Sequence, residues 1–481
     1  MKKLLKQIAQ LEKIATELEP DAAERKAYNT QLHDYTEAFI TTLKERPAYT
    51  KGDANAQKLA VKKTTQPFSK LLETYTKEVV EKGIVASSGG HVGYIPGGGI
   101  FTSALADYIV DITNEYAGIH YGSPGAVTLE NELINWLKSL FKFPENAVGN
   151  LASGGSIANL TALTAARDKH QIKNEKITKS VVYLSPQVHH CIHKALRIIG
   201  LEDVIVRHVD LDKYHKIDTE KLEHLIKTDL NSGLNPFLIV ASSGTTDTGA
   251  VDPLNTLGDI SKKYNLWLHI DGAYGGFFIL VDSKKELFKG IEKADSLVID
   301  PHKSLFLPYG LGAVLIKDKS AVYHSNHYFA NYMQDAFNEA IVNPADVSPE
   351  LTKHFRGLRL WLPLQLHGIA PFKAALEEKL LLTTYFRKLL AESGFEIGPK
   401  PDLSVSYFWY PSQSISQNTF NRKLLEYIHD DGTVFLSSTV LDDKFVIRIA
   451  ILSFRTKKET IDKAMVMINK SLIKTKDYFN R

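Results

Sequence analysis

The chain has 481 residues, 44% of them hydrophobic and 23% charged, and its 58 lysines and arginines against 55 acidic residues leave a formal net charge of +3. This length exceeds that of one simple domain, so we expect two or three packed units. The balanced charge argues against a nucleic-acid partner, and no run of eighteen apolar residues occurs that would cross a membrane. Because Cys191 is the single cysteine, no intramolecular disulfide can form, and we expect a cytoplasmic protein.

The N-terminal region, residues 1–114, is predicted to be a helical arm followed by a loop. Its first 85 residues combine charged positions with scattered apolar ones such as Leu4 and Ile8, which indicates amphipathic helices. An arm of this kind often packs on a second copy of the chain, so we expect a dimer. Residues 87–99 contain too many glycines to sustain a helix or strand and are predicted to form a loop.

The middle of the chain, residues 115–365, is predicted to form an α/β domain. Short apolar runs alternate there with amphipathic stretches, a pattern typical of buried parallel strands joined by helical crossovers. The runs predicted as strands are residues 181–184, 204–206, 237–240, 266–270, 296–299 and 313–316. We therefore predict a mainly parallel sheet covered by helices on both faces.

The last part, residues 366–481, alternates differently and is predicted to form a small α+β domain. A predicted helical segment, residues 358–390, leads into it. Its antiparallel strands are predicted at residues 404–409, 433–436 and 445–449, with a helix at residues 420–429.

Polar clusters follow several predicted strands, and ligands of open α/β sheets bind at the carboxyl ends of the strands. Residues 153–159, Ser-Gly-Gly-Ser-Ile-Ala-Asn, open a predicted helix. Small residues let backbone N–H groups approach an anion, and a helix N-terminus favours negative charge, so this cluster is a candidate to bind a phosphate. The competing interpretation is an ordinary serine N-cap after a tight turn.

Two further clusters also follow buried strands. Residues 242–250 place hydroxyl groups and glycine at a strand end, which suits either a ligand or an ordinary loop. Residues 269–276 deliver Asp271 to a strand end beside small residues. A buried carboxylate needs a partner, and a protonated heterocyclic nitrogen would provide one, whereas a salt bridge or a helix cap is the structural alternative.

Lys303 lies in the cluster Asp300-Pro301-His302-Lys303-Ser304, again after a predicted strand. We expect desolvation in a strand-end crevice to lower the pKa of this lysine toward the nucleophilic amine that forms Schiff bases. A solvated loop lysine is the alternative. The order of the clusters along the chain favours a cofactor site anchored on Lys303.

A histidine cluster lies between the strand that ends at Leu184 and a helix that reaches Ile199. His189 and His193 are four residues apart, a spacing compatible with a zinc site on one helical face, but no third ligand follows at a recognisable spacing. We favour an imidazole stacked on a flat cofactor and predict no metal.

With these clusters in this order, the chain resembles the group II pyridoxal-phosphate-dependent amino-acid decarboxylases over roughly residues 85–455. The resemblance implies fold type I: a large domain with a mostly parallel seven-stranded sheet, a small C-terminal domain and an N-terminal arm, assembled as a homodimer with active sites at the interface. It implies pyridoxal 5'-phosphate as the cofactor and a small-molecule amino acid as the substrate. The implied reaction is decarboxylation to the amine and carbon dioxide through a Lys303 Schiff base and a quinonoid intermediate.

The resemblance also implies roles for individual residues. Lys303 matches the Schiff-base lysine, and Asp271 matches the carboxylate that pairs with the pyridine nitrogen. His189 matches the histidine stacked on the ring, and Ala273 lies under the ring. The other implied cofactor contacts are Gly155, Ser156, Thr246 and His302.

Substrate contacts are implied for the segment that contains His91, Tyr94 and Pro96, whose apolar character favours an aromatic amino acid. In the family the proton donor is a tyrosine on a loop after the lysine strand. Both Tyr328 and Tyr332 match this position: Tyr332 has the family-like distance from Lys303, whereas Tyr328 has the better local match. The choice between them stays open.

Two departures and several competing functions accompany the resemblance. The glycine-rich stretch of residues 89–99 departs from the aromatic decarboxylases, which weakens the transfer of substrate specificity. Asp300 stands where animal aromatic decarboxylases usually have asparagine, which leaves a contact of position 300 with phosphate open. The competing functions are a related lyase similar to sphingosine-phosphate lyase, an aminotransferase, and a cofactor-binding interaction protein without catalysis. The intact set of Lys303, Asp271 and His189 favours an enzyme.

Overall fold

The computed structural model describes residues 1–327, 341–413 and 415–480. The N-terminal region of the protein combines helices with a two-stranded antiparallel ribbon. The elements are α1 (Lys2–Ala15), α2 (Ala22–Thr42), β1 (Tyr49–Thr50), α3 (Ala56–Leu59), α4 (Phe68–Tyr75), β2 (Gly83–Ile84) and α5 (Phe101–Thr113). Residues 87–99 form neither a helix nor a regular strand, as their glycines predict.

The first two helices lie on the surface of the chain. Helix α1 contains no buried residue although it carries a stripe of leucines and isoleucines. Helix α2 begins with a capping box, in which the Asp21 side chain accepts from the backbone of Glu24 and the Glu24 side chain accepts from the backbone of Asp21. Local sequence therefore determines where α2 begins, and the apolar stripe of α1 is left uncovered.

A seven-stranded sheet forms the centre of the protein. Its strands are β3 (Val148–Ala152), β4 (Ser180–Leu184), β5 (Ile205–His208), β6 (Asn235–Ser242), β7 (Trp267–Asp271), β8 (Ser296–Ile299) and β9 (Gly312–Ile316). They lie in the order β3-β9-β8-β7-β6-β4-β5, and β9 runs against the other six. The carboxyl ends of those six strands consequently meet at one edge of the sheet.

Helices cover both faces of this sheet. They are α6 (Pro124–Phe141), α7 (Gly155–Lys169), α8 (Cys191–Ile198), α9 (Thr219–Asn231), α10 (Leu254–Tyr264), α11 (Pro301–Ser304), α12 (Lys319–Asn326) and α13 (Gly357–His367). Phe141 and Ile270 belong to the core cluster on one face, against α6, α9 and α10. Ala162 and Val240 belong to the cluster on the other face, against α7, α8 and α12. Successive strand residues contribute to opposite faces, which explains why buried parallel strands are apolar throughout.

Two strands differ from the sequence prediction. Strand β3 was not predicted, because its sequence Val-Gly-Asn-Leu-Ala contains glycine and asparagine, which are depleted in strands. The run at residues 204–206 was predicted to be fully buried, but β5 is half-buried. It lies at the edge of the sheet with β4 as its single strand neighbour, so one side of it stays uncovered.

The C-terminal part contains a four-stranded antiparallel sheet in the order β10-β11-β13-β12. Its elements are α14 (Ala370–Glu392), β10 (Glu396–Ile397), β11 (Val405–Trp409), α15 (Gln417–Asp431), β12 (Ser437–Leu441), β13 (Lys444–Ala450) and α16 (Lys458–Phe479). A third core cluster, which includes Phe386 and Phe408, joins the sheet to its helices.

The strand predicted at residues 433–436 is wrong, because the strand in this region is β12 and begins four residues later, after residue 436. The backbone of Phe435 forms hydrogen bonds with the glycine-rich segment instead. Its N–H donates to Gly90 O at 2.9 Å, and its carbonyl accepts from Val92 N at 3.1 Å. Contacts with residues that lie 345 and 343 positions earlier in the chain thus replaced the local strand pairing that the apolar run suggested.

The architecture agrees with the predicted α/β fold class: a mostly parallel seven-stranded sheet, a smaller C-terminal α+β part and an N-terminal helical region. The boundaries at residues 1–114, 115–365 and 366–481 stay predictions. Among the described residues, no helix is both long and apolar enough to cross a membrane.

Candidate active site

A cavity of about 240 Å³ opens at the carboxyl edge of the central sheet. It collects side chains from the segments that follow β3, β4, β6, β7 and β8. All eight residues predicted to contact a cofactor line it: Gly155, Ser156, His189, Thr246, Asp271, Ala273, His302 and Lys303. Clusters that lie far apart in the sequence therefore converge, because the parallel strands all end at this edge.

Lys303 is paired with the carboxylate of Asp300, the residue that precedes its short helix. Its Nζ lies 2.9 Å from Asp300 Oδ2, and the Asp300 side chain is buried. Burial alone would lower the pKa of Lys303, but the carboxylates of Asp300 and Asp271 outweigh burial and raise it. The lowered pKa expected from the sequence is therefore wrong for the chain without a bound ligand, because that expectation considered desolvation without the carboxylate one turn earlier.

Asp300 is enclosed by backbone on several sides. Its Oδ1 is buried and has no hydrogen-bond partner among the described residues. His302 Nε2 lies 3.6 Å from its Oδ2, while His302 Nδ1 accepts from Leu311 N at 3.3 Å. Burial lowers the pKa of His302, although Asp300 opposes this shift. One carboxylate oxygen is thus committed to Lys303 and the other is not paired within the described chain.

The turn before α7 is built from glycines in unusual surroundings. Gly154 has φ of 157°, and it is the N-cap residue, with no side-chain cap hydrogen bond. A Cβ at Gly155 would lie 2.8 Å from Asp300 Oδ2 and 3.2 Å from the Ala273 methyl carbon, so any side chain there would have to displace the buried Asp300 carboxylate. The competing interpretation of a serine N-cap is wrong, because the N-cap residue is Gly154, and Gly155 and Ser156 at the start of α7 line the cavity.

Asp271 lies at the end of β7 with both carboxylate oxygens hydrogen-bonded. Oδ1 accepts from the backbone N–H of Ala273 at 3.1 Å, and Oδ2 accepts from Asn159 Nδ2 at 3.3 Å. The side chain is 8% exposed, and the exposed part lines the cavity. Neutral donors hold this carboxylate in place, and its charge is turned toward the same cavity as Lys303.

His189 lies at the entrance to α8, beside the cavity. Its Nδ1 accepts from Cys191 N at 3.3 Å, and burial lowers its pKa, although Asp271 opposes this shift. The ring of His193, the second histidine of the zinc alternative, lies 5.9 Å from the ring of His208. No group of three potential metal ligands was found among residues 1–327, 341–413 and 415–480.

The loop of residues 242–250 is held by partners from both parts of the chain. Thr248 Oγ1 bonds to Thr245 Oγ1 at 2.8 Å and donates to Gln187 Oε1 at 2.9 Å. Arg448 Nε, from strand β13, donates to Thr246 O at 2.8 Å. The loop is thus an ordered wall of the cavity, and the C-terminal sheet helps to position Thr246.

The predicted substrate contacts His91, Tyr94 and Pro96 are not among the residues that line this cavity. His91 is buried, with its ring 6.2 Å from the ring of Tyr94, and Tyr94 is 58% exposed. The same segment nevertheless passes close to the lysine, because a Cβ at Gly97 would collide with the carbonyl oxygen of His302. The glycine-rich segment therefore packs on the backbone that carries Lys303, outside the cavity itself.

Some predicted residues lie outside the described part of the chain, and some residues of the cavity were not predicted. Tyr328 and Tyr332 lie outside the described residues. Asn159 and Cys191 line the cavity, although neither was predicted to do so. The signal for Asn159 was its position four residues after Gly155, which places both on the same side of one helical turn.

The fold and the cavity define an α/β enzyme with a lysine and a carboxylate around a small-molecule site at the strand ends. The chain belongs to the family described as the pyridoxal-dependent decarboxylase conserved domain, which matches residues 48–411. It is 35% identical to the aromatic-L-amino-acid decarboxylase of Bacillus atrophaeus over 382 residues, which cover 78% of this chain and 79% of the relative. It is 32% identical to tryptophan decarboxylase 2 of Oryza sativa subsp. japonica over 362 residues, covering 72% and 73%.

Solved structures agree in fold. Tryptophan decarboxylase of Catharanthus roseus in complex with L-tryptophan has a TM-score of 0.87 at 21% identity, covering 95% of this chain and 99% of that one. The Oryza sativa TDC with PLP and tryptamine has a TM-score of 0.88 at 21% identity, with the same coverage. The predicted fold type I architecture is confirmed, and the protein is a pyridoxal-phosphate-dependent amino-acid decarboxylase with pyridoxal 5'-phosphate as its cofactor.

Proposed function

We propose that the protein decarboxylates an aromatic L-amino acid to the amine and carbon dioxide, with the cofactor bound covalently to Lys303. The observation that carries the proposal is that Lys303 Nζ and the Asp271 carboxylate line one cavity at the strand ends. The relatives named above, which are called aromatic-L-amino-acid and tryptophan decarboxylases, support the aromatic substrate class.

The residues of the cavity fit the cofactor. Gly154 and Gly155 leave room beside the start of α7, where the N–H groups of Gly155 and Ser156 would hold the phosphate. Asp271 would pair with the ring nitrogen, and His189 and Ala273 would contact the two faces of the ring. Thr246 and His302 would complete the contacts from the neighbouring walls. When bound, the cofactor supplies an electron sink for the bond that is broken.

Residues of the chain would then hold and deliver the protons of the reaction. Asp271, whose carboxylate is already oriented by two N–H donors, would hold a proton on the ring nitrogen. The phenol of Tyr328 or Tyr332 would deliver a proton to the substrate carbon that loses carbon dioxide. We leave the choice between these tyrosines to a pair of phenylalanine variants, because the true donor is expected to lose turnover while the other keeps it.

The substrate side would be formed by the glycine-rich segment. His91, Tyr94 and Pro96 lie on the stretch that leads to Gly97, which packs on the Lys303 backbone. The partly exposed ring of Tyr94 would face an aromatic side chain once the site is complete.

We also propose that the protein is a cytoplasmic homodimer. Leucines and isoleucines of α1 are between 41% and 67% exposed, and a row of apolar residues on α5 is similarly exposed: Phe101, Leu105, Tyr108, Ile109 and Ile112. Contiguous apolar surface of this kind marks an interaction site. A second copy of the chain would cover both helices, and neither a nucleic acid nor a membrane is needed as a partner.

A carbon dioxide release screen tests the substrate proposal. The cofactor-loaded protein is incubated separately with tryptophan, tyrosine, phenylalanine, glutamate, 2,4-diaminobutyrate, alanine and a phosphorylated amino alcohol, and amine, carbon dioxide, keto acid and aldehyde are measured. We expect release with one or more aromatic substrates. Preferred turnover of glutamate or diaminobutyrate would contradict the aromatic proposal. Keto acid without carbon dioxide would favour an aminotransferase, and aldehyde from a phosphorylated amino alcohol would favour the related lyase.

A further inference from the structure

A row of buried polar groups lies directly behind Asp271. Trp267, His269 and Asp271 alternate along β7 and share the face of the sheet that α7 covers. His269 is fully buried, as is Ser296, its partner in the register of β7 and β8. Asn159 of α7 is fully buried as well. The cavity-lining role of Asp271 leaves these other polar groups without an explanation.

These groups form one continuous chain of hydrogen bonds. Trp267 Nε1 donates to Ser296 Oγ at 2.8 Å, and Ser296 Oγ lies 2.8 Å from His269 Nδ1. His269 Nε2 lies 2.7 Å from Asn159 Oδ1, and Asn159 Nδ2 donates to Asp271 Oδ2 at 3.3 Å. The chain connects the indole of Trp267 with the carboxylate in the cavity.

Every bond in this chain has a defined direction. A carboxylate can only accept, so the Asn159 NH₂ group faces Asp271 and the Asn159 amide oxygen faces His269 Nε2. The neutral imidazole then carries its proton on Nε2 and accepts at Nδ1 from the Ser296 hydroxyl, whose oxygen accepts from the indole N–H of Trp267. The opposite amide orientation would lose the bonds to both neighbours of Asn159.

The histidine is held in the neutral form that this chain requires. Burial lowers the pKa of His269 to about 4, although the Asp271 carboxylate opposes the shift. At neutral pH the imidazole therefore has one donor and one acceptor nitrogen. Both are used, because a buried polar group without a partner destabilises the fold.

We propose that Asn159, His269, Ser296 and Trp267 are positioning residues that hold the Asp271 carboxylate in one orientation toward the ring nitrogen of the cofactor. The inference rests on the role proposed above for Asp271. It also gives α7 two tasks, because Asn159 lies one turn after the N–H groups of Gly155 and Ser156. One rigid helix would thereby set the distance between the phosphate end and the ring-nitrogen end of the site.

The test compares single variants along the chain by two measurements that need no turnover. The dissociation constant of pyridoxal 5'-phosphate is measured by equilibrium dialysis, and the absorbance of the bound cofactor is titrated with pH. Asn159→Ala and His269→Phe are expected to weaken cofactor binding by about tenfold, since each removes the bond to a charged group or its support. Both are expected to move the midpoint of the absorbance titration and to lower kcat with little change in KM.

Ser296→Ala has a matched control on the same sheet. Ser180, the first residue of β4, is also fully buried and hydrogen-bonded, to Lys176 O at 2.8 Å and from Asn235 Nδ2 at 3.1 Å, but at the end of the strand away from the cavity. Both serine variants are expected to lower the apparent Tm by a similar amount. Only Ser296→Ala is expected to shift the absorbance titration, by less than His269→Phe does.

Asp271→Asn separates failure of this inference from failure of the role proposed for Asp271. If Asp271→Asn leaves cofactor affinity and the titration unchanged, the proposed contact of Asp271 is wrong and the positioning role falls with it. If Asp271→Asn changes both while Asn159→Ala, His269→Phe and Ser296→Ala change only the Tm, the positioning role is wrong and the contact stands. If His269→Phe does not fold, the same comparison is decided by Ser296→Ala against Ser180→Ala.

Discussion

The strand-end cavity and helix α1 differ in whether their side chains have partners. In the cavity, Lys303 is paired with Asp300, and Asp271 accepts from Asn159 and from the backbone of Ala273, so one chain supplies these partners. Helix α1 instead leaves a stripe of large apolar side chains exposed: Leu4, Leu5, Ile8, Leu11 and Ile14. The polar groups of the cavity are thus already paired within the chain, whereas the exposed apolar stripe of α1 is of the kind that marks an interaction site.

Lys303→Arg should have the largest effect on the cavity. The guanidinium keeps the positive charge beside Asp300 but provides no primary amine for the cofactor, so turnover is expected to fall by about a thousandfold or more. Decarboxylation rate, borohydride labelling of the cofactor and the Tm of the cofactor-free protein are measured together. Near-normal turnover in this variant, with an unchanged Tm, would overturn the assignment of Lys303.

Asp271→Asn should follow in size. An amide cannot hold a proton on the ring nitrogen, so cofactor remains bound with reduced affinity while kcat falls by roughly a hundredfold. Cofactor dialysis and steady-state kinetics measure the two effects separately. An unchanged kcat would mean that the Asp271 carboxylate has only a structural role and does not act on the ring nitrogen of the cofactor.

The arm is tested by placing charge on its exposed face. The double variant Leu4→Glu with Leu11→Glu is expected to shift the chain toward monomer in sedimentation velocity, because two carboxylates would be buried at the interface. Leu230→Glu, at a residue 46% exposed on α9, is the matched control and should leave assembly unchanged. If both proteins sediment as the unmodified chain does, α1 is not part of a dimer interface.

Asp300→Asn tests the pairing of Asp300 with Lys303 in the cavity, and we expect it to have the smallest effect of these variants. Asp300 raises the pKa of Lys303, so at neutral pH it reduces the fraction of free amine that can attack the cofactor aldehyde. Removal of this charge lowers the lysine pKa, and the pH profile of cofactor capture by the cofactor-free protein is expected to move to lower pH. Stopped-flow absorbance across the pH range measures this shift. A profile that stays in place or moves to higher pH would show that Asp300 does not control Lys303.

Much of the site was predictable because its signals are local. The glycines before α7, the carboxylate at the end of β7 and the lysine after β8 each occupy a strand end, and the parallel order of strands brings strand ends together. The later start of β12 was not predictable, because the backbone of Phe435 forms hydrogen bonds with Gly90 and Val92 instead of pairing in a strand. Strand β3 was missed because its glycine and asparagine obscure the apolar pattern.

The sequence by itself determined the order of the chemical groups, the glycine-rich segments and the apolar periodicity that builds the central sheet. Only the tertiary structure decided which groups became partners: Asp300 with Lys303, and Asn159 with both His269 and Asp271. Asn159 and His269 are 110 residues apart, and periodicity carries no information over that distance. Hydrogen bonds depend on tenths of an ångström and on direction, and packing sets both only when the helix and the sheet have come together.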